Sequence, residues 1–109
     1  MSYPALNDVF AALADPTRRR MVERLARGRR SVGEVAAGFE MSQPALSKHV
    51  KVLEAAGLVT RTVAGRVHYL DLAPGAMRSA ATWLDRQRKF WEETLDRLDS
   101  VLSEQEDES

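Results

Sequence analysis

There is no cysteine among the 109 residues of this chain. That absence excludes a disulfide framework, a thiolate metal site and thiol redox sensing, and it fits a reducing compartment. Histidine is nearly as scarce, since only His49 and His68 are present. A zinc site generally wants about four nitrogen or sulfur donors, so no metal and no other cofactor is expected. No run resembles a signal peptide or approaches the roughly 20 apolar residues needed to cross a bilayer. A cytoplasmic protein is expected. Catalytic sets are missing too: there is no glycine-rich phosphate loop and no nucleophile beside a plausible base, and the adjacent Glu92 and Glu93 read as the solvated flank of a helix. An enzyme is not expected.

Net charge is zero, but the balance hides two unequal parts. Residues 1–72 hold eleven Lys/Arg against seven Asp/Glu, while residues 73–109 hold five against nine. A basic front joined to an acidic C-terminal segment suits a domain that meets phosphate with one surface. Solvated surface is the other reading for the Arg18-Arg19-Arg20 and Arg29-Arg30 clusters.

One domain is expected, over residues 1–103, followed by a polar, acidic tail at 104–109 that frays. Leu6, Val9, Phe10 and Leu13 mark a first amphipathic helix. Asp15 caps a second, with Pro16 at its first position and Met21, Val22 and Leu25 inward, and Gly28 stops it. A short third helix is expected over 31–38, beginning at Ser31, which has capping-box spacing with Glu34, and Gly38 allows the turn.

The most informative stretch runs from Ser42 to Val59. Ser42 is an N-cap, Pro44 is tolerated in the first turn, and Leu46, Val50 and Leu53 share one face. Gln43, Ser47, Lys48 and Lys51 are left on the other. Gly57 ends this helix, expected at 42–56. Residues 58–72 then change period, with Val63, Val67 and Tyr69 as β-formers and Ala64-Gly65 as the expected tip of a two-stranded hairpin. A last helix is expected over 74–102. Met77, Ala81, Leu84, Trp91, Leu95, Leu98 and Leu102 keep a heptad rhythm broken only by Arg88, with Trp83 and Phe90 widening the stripe. Such a helix outruns a small domain, and its stripe needs another surface, so a homodimer is expected.

A short helix, a turn and a longer helix with a small, polar outward face make the sequence form of a helix-turn-helix. With the hairpin as a wing, the fold class is mainly α: a winged helix-turn-helix of five helices and a two-stranded wing. Asp15-Pro16-Thr17-Arg18-Arg19, the run Ser42 to Leu53, Ala56-Gly57-Leu58-Val59 and Gly65-Arg66 together resemble the ArsR family of bacterial winged-helix repressors. The resemblance covers nearly the whole chain. It implies a homodimer built from the first and last helices and bound to an imperfect inverted repeat in a promoter. The last helix, with Trp83-Leu84 and Phe90-Trp91-Glu92-Glu93, resembles a subgroup often encoded beside small hydrophobic-ligand-binding proteins. Many family members sense metals through cysteines or Asp/His sets, and this chain departs from them in lacking those residues.

Double-stranded promoter DNA is therefore the expected partner. Gln43, Ser47 and Lys48 are assigned to base edges, and Pro44 to apolar contact such as a thymine methyl. Ser42, Lys51, Arg61 and Arg66 are assigned to phosphate, with the wing also able to enter the minor groove. His49 is counted in the DNA set, although a packed histidine is an equal reading. Leu6, Val9, Phe10, Met77, Leu84, Trp91, Leu95 and Leu98 are the expected dimer contacts. Two alternatives stand beside this reading. One is a winged helix used for protein interaction without DNA. The other is a repressor released by a small hydrophobic effector, with Trp83, Phe90 and Trp91 lining a pocket.

Overall fold

The computed structural model describes residues 3–107. Five helices and three short strands follow in the order α1 (Tyr3–Leu13), α2 (Pro16–Leu25), β1 (Arg30–Ser31), α3 (Val32–Ala36), α4 (Gln43–Ala55), β2 (Val59–Ala64), β3 (Val67–Leu72) and α5 (Pro74–Asp107). The sheet is antiparallel, in the order β1-β3-β2. The expected winged helix-turn-helix is present, with α3 and α4 as the helix pair and β2–β3 as the wing.

Local chemistry sets most of these boundaries. Asp15 caps α2 by accepting from the backbone N–H of Arg18 at 3.0 Å, with Pro16 at the first helical position. Ser31 and Glu34 form the capping box of α3: Ser31 Oγ accepts from Glu34 N at 3.1 Å and Glu34 Oε1 from Ser31 N at 2.9 Å. The backbone N–H that Ser31 donates, helped by its hydroxyl, holds the Glu34 carboxyl below its ordinary value. Ser42 caps α4, its hydroxyl accepting from Ala45 N at 3.2 Å.

The end of α4 is a Schellman motif. Leu58 N donates to Leu53 O and Gly57 N to Glu54 O, both at 3.0 Å, with Gly57 at φ +75°. Leu53 and Leu58, the hydrophobic pair of that motif, are both fully buried. One turn thus closes the helix and seats Leu58, the residue before the wing, in the core.

Four expectations are corrected in detail. A third strand, β1, was not expected; two residues, neither apolar nor β-branched, give no periodic signal, yet Arg30 pairs with Leu70 and Ser31 with Tyr69. The hairpin tip is Gly65-Arg66, one residue later than expected, because Ala64 pairs with Val67 and Gly65 supplies the positive φ of +63° at the first loop position. The third helix stops at Ala36, since Ala37 leaves helical geometry and Gly38 turns at φ +84°. The last helix runs on to Asp107, through residues expected to fray, because no glycine or proline follows Gly75 and Glu and Gln are good helix formers. Residues 108 and 109 of the expected tail lie outside the described residues.

The core gathers Val9 and Ala12 of α1, Met21, Val22 and Leu25 of α2, Val35 of α3, Leu46, Val50 and Leu53 of α4, Leu58, Val59, Leu70, and Ala80 of α5. Helix α1 touches α2, α4 and α5. The 34 residues of α5 carry it away from this core, and the molecule extends 71 × 34 × 22 Å. Its first turns pack on α1; the rest projects.

The glycine turn gives a direct test. A Cβ at Gly57 would meet Ala76 Cβ at an ordinary 3.9 Å, so the penalty of Gly57→Ala is conformational rather than steric. The variant should lose about 1–2 kcal/mol, read as a lower urea midpoint at matched protein concentration. An unchanged midpoint would show that the left-handed turn does not set this boundary.

Candidate nucleic-acid interface

Helix α4 presents two faces, as its spacing requires. Leu46, Val50 and Leu53 are buried, and Gln43, Pro44, Ser47, Lys48 and Lys51 are exposed along the opposite side. Ser42 is exposed just before them, and its cap bond leaves the hydroxyl hydrogen able to donate. A shallow groove on this face is lined by Pro44, Ser47, Lys48, Lys51, Val52 and Ala55. Val52 and Ala55 extend the carbon surface begun by Pro44, and sequence reasoning missed both. The signal was available, because residue 52 lies eight positions after 44, and 55 lies four after 51, on one helical face.

The wing differs from expectation at Arg61. Its guanidinium is committed inside the protein: Nη2 donates to Glu54 Oε1 at 2.6 Å and Nε to Oε2 at 3.4 Å, and Nη1 lies 3.1 Å from His68 Nδ1. It braces β2 against the last turn of α4. Arg66 stands exposed in the tip itself, flanked by the exposed Val63 and Val67. Of the two wing arginines, it is the one open to solvent at the tip.

His49 is likewise engaged within the protein. Only a fifth of its side chain is exposed, and Nδ1 lies 3.1 Å from Arg18 Nη1 and 4.0 Å from Asp15 Oδ2. It faces the start of α2, through Arg18 and Asp15.

The basic clusters have other work. Arg18 Nε donates to Ala12 O at 2.6 Å, and Arg19 Nη1 to Leu13 O and Ala14 O at 3.0 and 3.1 Å, which satisfies carbonyls at the end of α1. Arg24 Nη1 donates to Val35 O and Ala37 O at 2.8 and 2.6 Å, at the end of α3, and stacks over Phe39 at 4.4 Å. Arg29 pairs with Asp71 at 2.9 Å, which raises its pKa further. With these cations spent, Lys48, Lys51 and Arg66 carry the positive charge on the α4 and wing surface.

The expected dimer set divides. Val9 is 2% exposed and belongs to the protomer's own core, leaving no surface for a partner. Leu6, Phe10 and Met77 are partly buried against that core, with the Phe10 ring 5.4 Å from that of Trp83. Leu84, Trp91, Leu95 and Leu98 are each more than half exposed on the projecting part of α5, joined by Phe90, Val101 and Leu102. Among the described residues no group of three or more His, Cys, Asp or Glu could hold a metal ion. No helix among them is long and apolar enough to cross a membrane.

Comparisons with known proteins bear on this geometry. A helix-turn-helix domain family matches residues 13–62. The chain is 38% identical to the HTH-type transcriptional regulator Rv2034 of Mycobacterium tuberculosis, over 99% of this chain and 98% of that protein. It is 30% identical to the transcriptional repressor SdpR of Bacillus subtilis, over 72% of this chain and 88% of the relative. Among solved structures it is similar to an ArsR family transcriptional regulator, with a TM-score of 0.77, 37% identity, and coverage of 84% of this chain and 95% of the other. It is also similar to a homodimeric winged helix-turn-helix DNA-binding domain from Mycobacterium bovis, with a TM-score of 0.61, 26% identity, and coverage of 86% and 84%.

The Asp15 cap makes stability depend on pH. Its carboxyl is held below the ordinary value, chiefly by the Arg18 N–H it accepts, against a smaller opposing effect of burial. A depressed carboxylate contributes stability that is fully present above the unfolded value, about 3.9, and lost as pH falls through the folded one. Asp15→Asn keeps a capping side chain without the charge. Wild type should therefore be the more stable at about pH 6, and the gap should close as pH falls below about 4, in urea midpoints taken across that range. A gap that stays constant would exclude the titration as its source.

Proposed function

The chain belongs to the ArsR family of winged helix-turn-helix transcriptional regulators, and on that premise we propose that it is a homodimeric repressor that reads an inverted-repeat operator with α4. It is a DNA-binding regulator, not an enzyme. The observation that carries the reading is the outward face of α4, where Gln43, Ser47, Lys48 and Lys51 stand exposed above a buried Leu46-Val50-Leu53 face. An interaction module without DNA would have no need of that donor-rich, cationic side.

Two protomers would set their α4 helices in successive major grooves about 34 Å apart. The Gln43 amide suits adenine, which offers an acceptor and a donor side by side; Ser47 follows, and Lys48 suits the guanine acceptors. Pro44, with Val52 and Ala55, supplies carbon surface for thymine methyls. Ser42 and Lys51 are assigned to phosphate, and Arg66 at the wing tip to phosphate or the minor groove. The dimer would form through α5 and α1, covering Leu84, Trp91, Leu95 and Leu98. A single domain of residues 1–103 would serve both tasks. Repression follows from occupying the promoter in place of RNA polymerase, which puts the protein in the cytoplasm.

The readers and the anchors separate by experiment. Gln43→Ala should cost about 1–3 kcal/mol on a duplex selected from random sequence and relax preference at one base pair. Arg66→Ala should weaken all duplexes alike and lower the salt slope by about one. Equal losses for Gln43→Ala on selected and random DNA would remove it as a reader. Leu98→Asp should sediment as a monomer with poor operator affinity; a wild type that is itself monomeric at micromolar concentration would contradict the dimer.

A further inference from the structure

Arg18 and His49 lie outside the reading face, and the proposed function does not use them. The Arg18 guanidinium bridges three elements. Its Nε donates to Ala12 O at 2.6 Å and its Nη2 to Ala11 O at 3.4 Å, both on α1. Its Nη1 reaches Nδ1 of His49, on α4, at 3.1 Å. Its backbone on α2 is held by Asp15, which accepts from Arg18 N at 3.0 Å and stands 4.0 Å from His49 Nδ1. The charged groups that face the imidazole are thus Arg18 from α2 and Asp15 from the turn before it, while α1 contributes the carbonyls that hold Arg18.

We infer that Arg18 is a positioning residue for DNA reading, tethering α4 to α1 through a neutral His49 that accepts at Nδ1. A guanidinium has donors only and keeps its proton at any ordinary pH, so the imidazole must be the acceptor, with its own proton on Nε2. Protonation turns that acceptor into a second donor and sets two positive charges side by side, while Asp15 offers the new cation a different partner. The tether to α1 is then lost. Because Phe10 of α1 packs on Trp83 of α5, the same tether links the helix that would carry the dimer to the helix that would read the bases. The effect falls on sequence preference, since a displaced α4 still meets phosphate but no longer aligns Gln43 and Lys48 with base edges.

This inference rests on reading α4 as the DNA-binding helix, and its test separates the two. The affinity of the full-length protein for a selected duplex, divided by that for a random duplex, should be measured from about pH 8 to about pH 5.5. The ratio cancels general charge effects, including those of His68. Wild type should lose about tenfold in this preference as pH falls. His49→Gln, whose amide oxygen can still accept from Arg18, should hold its preference across the range. Arg18→Ala should show the lowered preference at every pH, with helical content and dimer fraction unchanged. A wild-type ratio that is flat in pH, or a His49→Gln profile that follows wild type, overturns the inference.

A DNA-free arm decides the tether independently. Nitrogen NMR should find the His49 ring as the Nε2–H tautomer with a hydrogen-bonded Nδ1, and amides of α4 should exchange faster in Arg18→Ala. An Nδ1–H tautomer, or unchanged exchange, overturns the tether. A wild type without preference for any duplex would overturn the DNA reading instead, with this second arm still deciding the tether.

Discussion

Arginine side chains of α2 close the open ends of two other helices, and the arrangement of the domain depends on it. Neither α1 nor α3 carries a basic residue in its last turn, so their final carbonyls, which carry the negative end of each helix, need donors from elsewhere. Arg18 and Arg19 supply them to α1, and Arg24 supplies them to α3. Charge-assisted bonds of this kind are stronger than neutral ones and are directional. They fix where α1 and α3 end relative to α2, and α4 packs into the space so defined.

This assignment changes what the charge split means. A surplus of four positive charges in residues 1–72 reads as a phosphate-facing front, but Arg18, Arg19, Arg24, Arg29 and Arg61 are all engaged within the protein. The cations left on the α4 and wing surface are few and placed by geometry. Lys48 and Lys51 stand on the open face of α4 and Arg66 at the tip of the wing, so the proposed interface would depend on position more than on net charge. Binding by such a surface gains its selectivity from side chains that face base edges, with a modest number of phosphate contacts holding register.

Much of the fold was legible because its signals are local. The caps at Asp15, Ser31 and Ser42, the Leu46-Val50-Leu53 face and the glycine stop at Gly57 all act within one turn of helix, where residue type and spacing decide the outcome. The long-range features were not. Strand β1 exists only because Leu70 and Tyr69 lie beside it, and the partners of Arg18 and Arg24 come from helices distant in sequence. Likewise, nothing in the spacing of Arg61 distinguishes a cation aimed at phosphate from one folded back on Glu54. At the site, the face of α4 was legible by periodicity. The inward turn of His49 was not, because residue 49 lies at the border between the two faces.

The projecting helix is where local and long-range logic meet. Leu84, Trp91, Leu95, Leu98 and Leu102 keep a heptad seam of the kind that suits one partner helix, but Phe90 and Val101 lie beside it and are also about half exposed. A stripe wider than a two-helix seam needs more than one helix to cover it. In the proposed dimer, the second helix available is α1, whose Leu6 and Phe10 are partly buried at the base of α5. The apolar surface on both sides of the α1–α5 contact would then form one continuous interface. That interface reaches α4 through α1, among other contacts, and the polar link at that step is the Arg18–His49 pair.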